Sequence, residues 1–213
     1  MLKSNKYYMI SFLKILYRLN YNTLFFNFNY FRFNQAIRFP VFVSRNVNLR
    51  KTSGEILFEA PVKTGMIYLG FGDVGIFDKK RSRTIWQVSG KVVFQGNANI
   101  GHGSKIIVEN QGTLVLGDNF TISAESSIVV STMIKFGNNC LLSWDILIMD
   151  TDLHKIKDIN NVIINDPKAI IIGENTWIGC RCLILKGVII PSNSILGANT
   201  TVSKKLETEN CLY

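Results

Sequence analysis

The chain has 213 residues, 47% of them hydrophobic and 18% charged, which fits one folded domain with a small appendage and excludes a disordered chain. Its formal charge is +9 with only two histidines. An anionic partner is therefore expected: a nucleotide-bearing cofactor, a phosphorylated substrate, an anionic membrane face or nucleic acid.

Basic residues are spread along the chain rather than gathered in a tail, and no nucleic-acid motif occurs, so nucleic acid ranks last. No apolar run approaches the roughly 18 residues of a membrane span. The start, with Lys3, Lys6 and then MISFLKILY, imitates a secretory leader. Lys14 interrupts its apolar region and no small-residue cleavage site follows, so a cytoplasmic protein is expected. Residues 7–19 place Ile10, Phe12, Leu13, Leu16 and Leu19 around a short amphipathic helix. The following TLFFNFNYFRF alternates aromatic residues with Asn and Arg in the manner of a strand. Residues 1–40 are expected to cap the open end of the strand-rich region that begins near residue 41, or to meet another subunit. The second reading is peripheral association with the inner face of a membrane through these aromatic and basic side chains.

From 41 to 93 short apolar strands alternate with turns without a clean period. Within them DKKRSR, Asp78 to Arg83, reads as a solvated loop before it reads as a phosphate-binding one. A six-residue rhythm of aliphatic or aromatic positions then runs through Phe94, Ile100 and Ile106, recovers at Leu116, Ile122 and Ile128, and again at Phe136, Leu142 and Ile148. It is unbroken from Ile172 through Ile178, Ile184, Ile190 and Leu196 to Val202. Neither a helix (period about 3.6) nor a half-buried strand (period about 2) predicts this spacing. A solenoid does, with each turn burying its apolar side chains against its neighbours. Gly-x-Asn recurs at 117–119, 137–139, 173–175 and 197–199, the chemistry of tight corners. Small residues sit two places before the aliphatic position: Cys140, Thr176, Cys182, Ser194 and Thr200. The four cysteines therefore read as packing residues, and Cys180-Arg181-Cys182 lacks the spacing of a structural zinc site.

Between Ile148 and Ile172 the phase positions are His154, Asn160 and Asp166, none suited to an apolar interior. Residues 150–167 are expected to leave the solenoid as a loop, which rejoins it over 168–205. Function concentrates on such loops, and this one holds one of the two histidines. The other, His102 in Ile100-Gly101-His102-Gly103, reads as a structural corner residue.

The run WIGCRCLILKGVIIPSNSILGANTTVSK resembles the signature of the hexapeptide-repeat acyltransferases, and DTDLH resembles the histidine segment of the polysaccharide O-acetyltransferases among them, relatives of the galactoside and maltose enzymes. FGDVGIFDKKRSRTIW and NIGHGSKI are similar to segments of capsule or O-antigen acetyltransferases. The resemblance implies an all-β fold, a left-handed parallel β-helix, the hand being an exception to the usual crossover rule. It also implies transfer of an acetyl group from acetyl-CoA to a sugar hydroxyl, and a homotrimer with the cofactor lying between subunits.

Histidine suits such transfer as a general base, and the resemblance puts His154 in that role. The flanking Asp150 and Asp152 are placed to orient its imidazole or hold a sugar hydroxyl, with Asp152 the catalytic candidate of the two. Asp150, Trp144 and Asp145 are candidates for the sugar. By motif position Trp177 would wall the thioester end of the cofactor channel. The backbone at Cys180 and Ala198 would hold the pantetheine arm, and Ser203 and Lys204, with Lys205, would approach the nucleotide phosphates. No metal is expected: a three-histidine zinc hydratase of this fold is excluded by a count of two histidines.

Two departures stand out. Residues 206–213 form a short tail, where family members continue into a Gly-x-Pro-Ala segment and a helix over the adenine. Ser123 to Ser126 offer no acceptor-site asparagine. Beside O-acetylation of a capsule, O-antigen or exopolysaccharide precursor, two alternatives remain: N-acylation of a nucleotide-linked amino sugar, and a non-catalytic β-helical scaffold.

Overall fold

The structure is a computed structural model that describes residues 18–208 and 210–213. The helix expected over residues 7–19 lies outside them except for its last two positions.

Among the described residues, twenty short strands wind into seven stacked coils. The first three coils comprise β1 (Val41–Val43), β2 (Val47–Thr52) and β3 (Glu55–Phe58); β4 (Ile67–Phe71), β5 (Thr84–Val88) and β6 (Lys91–Phe94); β7 (Ala98–Gly101), β8 (Lys105–Val108) and β9 (Thr113–Leu116). The next two hold β10 (Phe120–Ala124), β11 (Ser127–Val130) and β12 (Met133–Phe136), then β13 (Leu141–Trp144), β14 (Leu147–Met149) and β15 (Ile170–Ile172). The last are β16 (Trp177–Ile178), β17 (Leu183–Ile184) and β18 (Ile189–Ile190), with β19 (Ile195–Leu196) and β20 (Thr201–Val202) opening a seventh. First, second and third strands of successive coils stack into three parallel sheets, here A, B and C.

The hexapeptide positions form the three columns of the core. In sheet A, Leu69, Ile100, Ile122, Leu142, Ile178 and Leu196 lie in register. In sheet B the column is Trp86, Ile106, Ile128, Ile148, Ile184 and Val202. All twelve are buried. The early coils, irregular to the eye, keep these columns by using Trp86 in one slot and by exporting the surplus residues. At the B–C corner Ile106 to Leu116, Ile128 to Phe136 and Ile148 to Ile172 all exceed six residues, whereas the A–B and C–A steps from Phe94 onward keep to six. The slips in the rhythm are thus insertions at one corner.

The C–A corner shows what Gly-x-Asn accomplishes. Asn119, Asn139, Asn175 and Asn193 take positive φ of 57°, 57°, 53° and 58°. Their side-chain amides donate down the stack at 3.1, 3.0 and 2.9 Å. The glycine is required for a different reason. A Cβ at Gly117 would lie 2.3 Å from the carbonyl carbon of Gly137, and one at Gly173 2.3 Å from the amide of Ser192. The fourth corner of this type, at Gly197, lies at the A–B corner instead.

TLFFNFNYFRF is not a strand. Tyr21–Tyr30 form a helix, α1, N-capped by the Asn20 side chain, which accepts from the Thr23 amide at 3.2 Å, and a short helix α2 follows at Phe33–Ala36. The asparagines mend a sheet edge, not a pleat. Asn27 donates to the Val41 carbonyl at 2.7 Å and accepts from the Val41 amide, while Thr23 Oγ1 exchanges the same pair of bonds with Val43. Two side chains one helical turn apart thus satisfy β1, which would otherwise be an open edge. At the far end the tail does likewise: Ile195 donates to the Cys211 carbonyl, and Tyr213 donates to Ile195.

Candidate functional site

Residues 150–169 leave the B–C corner of the fifth coil. Their base is fixed by Asp150, which is wholly buried and accepts from the amides of Ser131 and Thr132 at 2.7 and 2.8 Å. Burial pushes its carboxyl above the ordinary carboxylate range, against the pull of the backbone amides. Expected as a sugar ligand, Asp150 has both oxygens taken by the preceding coil. The arm beyond it folds on itself: Lys157 and Ile163 form an antiparallel bridge, and the Asp158 carboxylate caps the tip through the amides of Asn160 and Val162.

Asp152 anchors the arm sideways. Its carboxylate accepts from Lys186 Nζ at 2.5 Å, on the next coil, and from Asn165 Nδ2 at 2.9 Å. These donors, Lys186 first, hold its pKa below the usual range. Asp152 therefore fastens the loop, and among the described residues it makes no hydrogen bond to the His154 imidazole. Asn165 completes the clasp by donating to the His154 carbonyl at 2.7 Å. The backbone around His154 is held from two sides while its ring stays exposed.

The imidazole borders a cavity of about 180 Å³ lined by Glu109, Ser131, Thr151, Leu153, Asn165 and Pro167, among others. Glu109 and Ser131 also border a second cavity of about 350 Å³, reaching Gln87, Ser89, Gln111 and Lys51. Together these make a polar groove up the B–C corner toward the first coil. Glu109 was not legible as a site residue: 45 positions separate it from His154, and the insertions of the intervening coils hide that both lie on one corner. The Ser123 to Ser126 stretch, which offers no acceptor-site asparagine, lies around the A–B corner.

The remaining candidates divide between corners. Ser203, Lys204 and Lys205 are exposed at the B–C corner below the loop. Trp144, Asp145, Cys180 and Ala198 lie at the A–B corner, across sheet B from His154, so one chain does not bring them to its own histidine. Among the described residues the amides of Cys180 and Ala198 find no backbone acceptor, leaving two donors on that edge. Trp177 is 48% exposed on the outer face of sheet A, its indole N–H donating to Ser143 Oγ at 3.2 Å. Leu141 and Ile195 flank it in register, an apolar stripe facing outward.

His102 is buried at the A–B corner, with Nδ1 3.0 Å from Ser82 Oγ. Ser82 also bonds Glu125, which pairs with Lys105 Nζ at 3.0 Å. This strap fastens residues 72–83 to the solenoid through Ser82, the buried member of an otherwise exposed DKKRSR run. Cys140 and Cys182 are buried, their thiols directed at the carbonyls of Gly173 and Gly197, as packing residues would be. Burial raises the Cys140 thiol to about 11. Among the described residues no three His, Cys, Asp or Glu side chains gather as metal ligands would.

Residues 169–204 match the family model described as bacterial transferase hexapeptide (six repeats). The chain is 30% identical over 89 residues to a galactoside O-acetyltransferase of Lactococcus lactis subsp. lactis (strain IL1403), 41% of this chain and 40% of that protein. A polysialic acid O-acetyltransferase of Neisseria meningitidis is 36% identical over 66 residues, 30% of this chain and 31% of the relative. The matches thus span less than half the length of these curated relatives. Among solved structures, the polySia specific acetyltransferase NeuO superposes with a TM-score of 0.57 at 21% identity, over 79% of this chain and 82% of that one. The polysialic acid O-acetyltransferase OatWY gives 0.50 at 24%, over 81% and 80%. The chain is a left-handed parallel β-helix built on hexapeptide repeats.

Proposed function

We propose that the protein is an acetyl-CoA-dependent O-acetyltransferase acting on a sugar hydroxyl of a surface-polysaccharide precursor, with His154 as general base. The observation that carries this reading is the clasped loop, which presents an exposed imidazole to a polar groove on a rigid corner. The O-acetyltransferase activity named for the relatives supports the reaction class. A hydroxyl is a weak nucleophile at neutral pH. The imidazole takes its proton as the oxygen attacks the thioester carbonyl, the C–S bond breaks, and the proton passes to the departing thiolate. The acceptor lies in the groove from Glu109 toward Lys51, where Gln87, Ser89 and Gln111 offer the neutral donors and acceptors that suit sugar hydroxyls. The donor lies on the C-terminal side, its phosphates near Ser203, Lys204 and Lys205 and its arm against the amides of Cys180 and Ala198.

That division requires a second copy. The A–B edge of one copy must meet the B–C corner of the next, and a head-to-tail contact between three-sided prisms closes at three. The Leu141–Trp177–Ile195 stripe supplies apolar surface for this contact.

Replacing His154 by Ala should lower acetyl transfer by about 10² to 10⁴, the loss expected for a general base, with acetyl-CoA binding retained. Wild-type transfer by that variant would remove the catalytic assignment. No binding of acetyl-CoA by the native protein in calorimetry would favour a scaffold instead.

A further inference from the structure

Of the 24 Lys and Arg residues, nine precede Glu55, and no Asp or Glu does; the other 15 are balanced by all 15 acidic residues. The whole +9 therefore belongs to the first 54 residues, although basic residues occur throughout. The described part of this segment builds the N-terminal end of the solenoid, where Arg32, Arg38, Arg45, Arg50 and Lys51 are exposed.

The same end carries an apolar stripe. The inner face of α1 is engaged: Thr23 and Asn27 mend β1, Phe26 packs edge-on against Trp86, and Tyr30 accepts from the Trp86 indole at 3.0 Å. On the outer face Tyr21, Leu24, Phe25 and Phe28 fall at i, i+3, i+4 and i+7, a continuous helical stripe, and all four are exposed. Phe33 (72% exposed) and Ile37 extend it. A helix that only capped a soluble solenoid would carry charged residues there; this stripe has none.

We infer that this end is an interfacial docking surface for an anionic lipid bilayer. The rings and aliphatic side chains of α1 and α2 settle at headgroup depth while the exposed guanidinium groups of the same end meet lipid phosphates. Both parts are needed, since apolar contact gives depth and basic charge gives preference for anionic lipid. A second copy is the poorer occupant. An isologous contact would press two segments of one sign together without a single carboxylate between them. The surface is independent of the acyl-transfer reading, and no helix among the described residues is long and apolar enough to cross the bilayer.

The test is flotation of the full chain with vesicles of phosphatidylcholine, with and without phosphatidylglycerol. Binding at least about tenfold stronger to the anionic vesicles is expected, lost at about 1 M salt, where the Debye length falls to about 3 Å. A variant carrying Leu24→Asn, Phe25→Asn and Phe28→Asn changes only exposed side chains. It should keep its circular dichroism and melting temperature and lose at least about tenfold in vesicle binding. Equal binding to both vesicle types, binding to neither, or undiminished binding by the variant overturns the inference. So does a self-associated native protein, seen by light scattering, that the variant dissolves without any vesicle binding: the stripe would then be a contact between copies.

Discussion

Asp150 and His154 stand four residues apart on one excursion and serve opposite ends of its purpose. The Asp150 carboxylate spans the step between two coils, receiving two amides of the Ser131–Thr132 corner. In Asp150→Asn one acceptor becomes an NH₂ group facing an N–H. A buried donor is then left unpaired, at a cost of about 1–3 kcal/mol. A lower melting temperature is expected, with the B–C corner of the fourth coil losing amide-exchange protection first. An unchanged melting curve would show that the corner does not depend on this carboxylate. The sequence marked His154 because the six-residue phase would have buried it. Asp150 could not be read in the same way: its partners are backbone amides of the previous coil, and no residue type announces them. Lys186 was equally hidden. It sits inside the LILKGVI repeat, and only the stacking of coils sets its ammonium beside Asp152.

At the scale of elements, the two excursions from the solenoid are tied down by different chemistry. The 150–169 arm is held by a solvent-facing ion pair and an asparagine; the 72–83 loop hangs on a buried imidazole. Burial lowers the His102 pKa, and Glu125 opposes the shift. Because the folded value lies below the unfolded one, the unfolded chain binds more protons between them. The contribution is complete above the ordinary imidazole value of about 6.5 and is lost as pH falls through the lower folded value. Native protein should therefore lose melting temperature from about pH 7 downward in a component that His102→Ala lacks, and that variant should be less stable at pH 7.5. Trypsin offers a second readout, since the exposed Lys79, Lys80, Arg81 and Arg83 are cut faster once the loop backbone is unfastened and free to enter the protease cleft. Parallel pH profiles for the two proteins would detach the loop's stability from this imidazole. The sequence read His102 as a corner residue, which its Ser82 bond supports, although its Nε2 has no partner among the described residues. The helix at 21–30 was misread because alternating Asn in FFNFNYF imitates a pleat. Thr23 and Asn27 also stand four apart, and it is that spacing which β1 uses.

For the whole molecule, the repeat was legible because a solenoid writes its geometry locally, each coil packing only against its neighbours. Handedness and assembly were not, since neither alters which side chain faces the interior. Assembly nonetheless decides whether the proposed site exists, because His154 and the Cys180–Ala198 edge occupy different corners of one chain. Complementation tests this directly. His154→Ala removes the base and leaves the edge; Ala198→Trp fills the edge and leaves the base. Each variant alone should be nearly inactive. In a mixed ring of three, whichever variant is in the majority, one interface joins an intact base to an intact edge. Random mixing of equal amounts places about three quarters of the trimers in mixed rings, each with one site in three restored. Co-expression should therefore return about a quarter of native activity. A site contained within one chain would return none, because every chain in the mixture carries one of the two lesions.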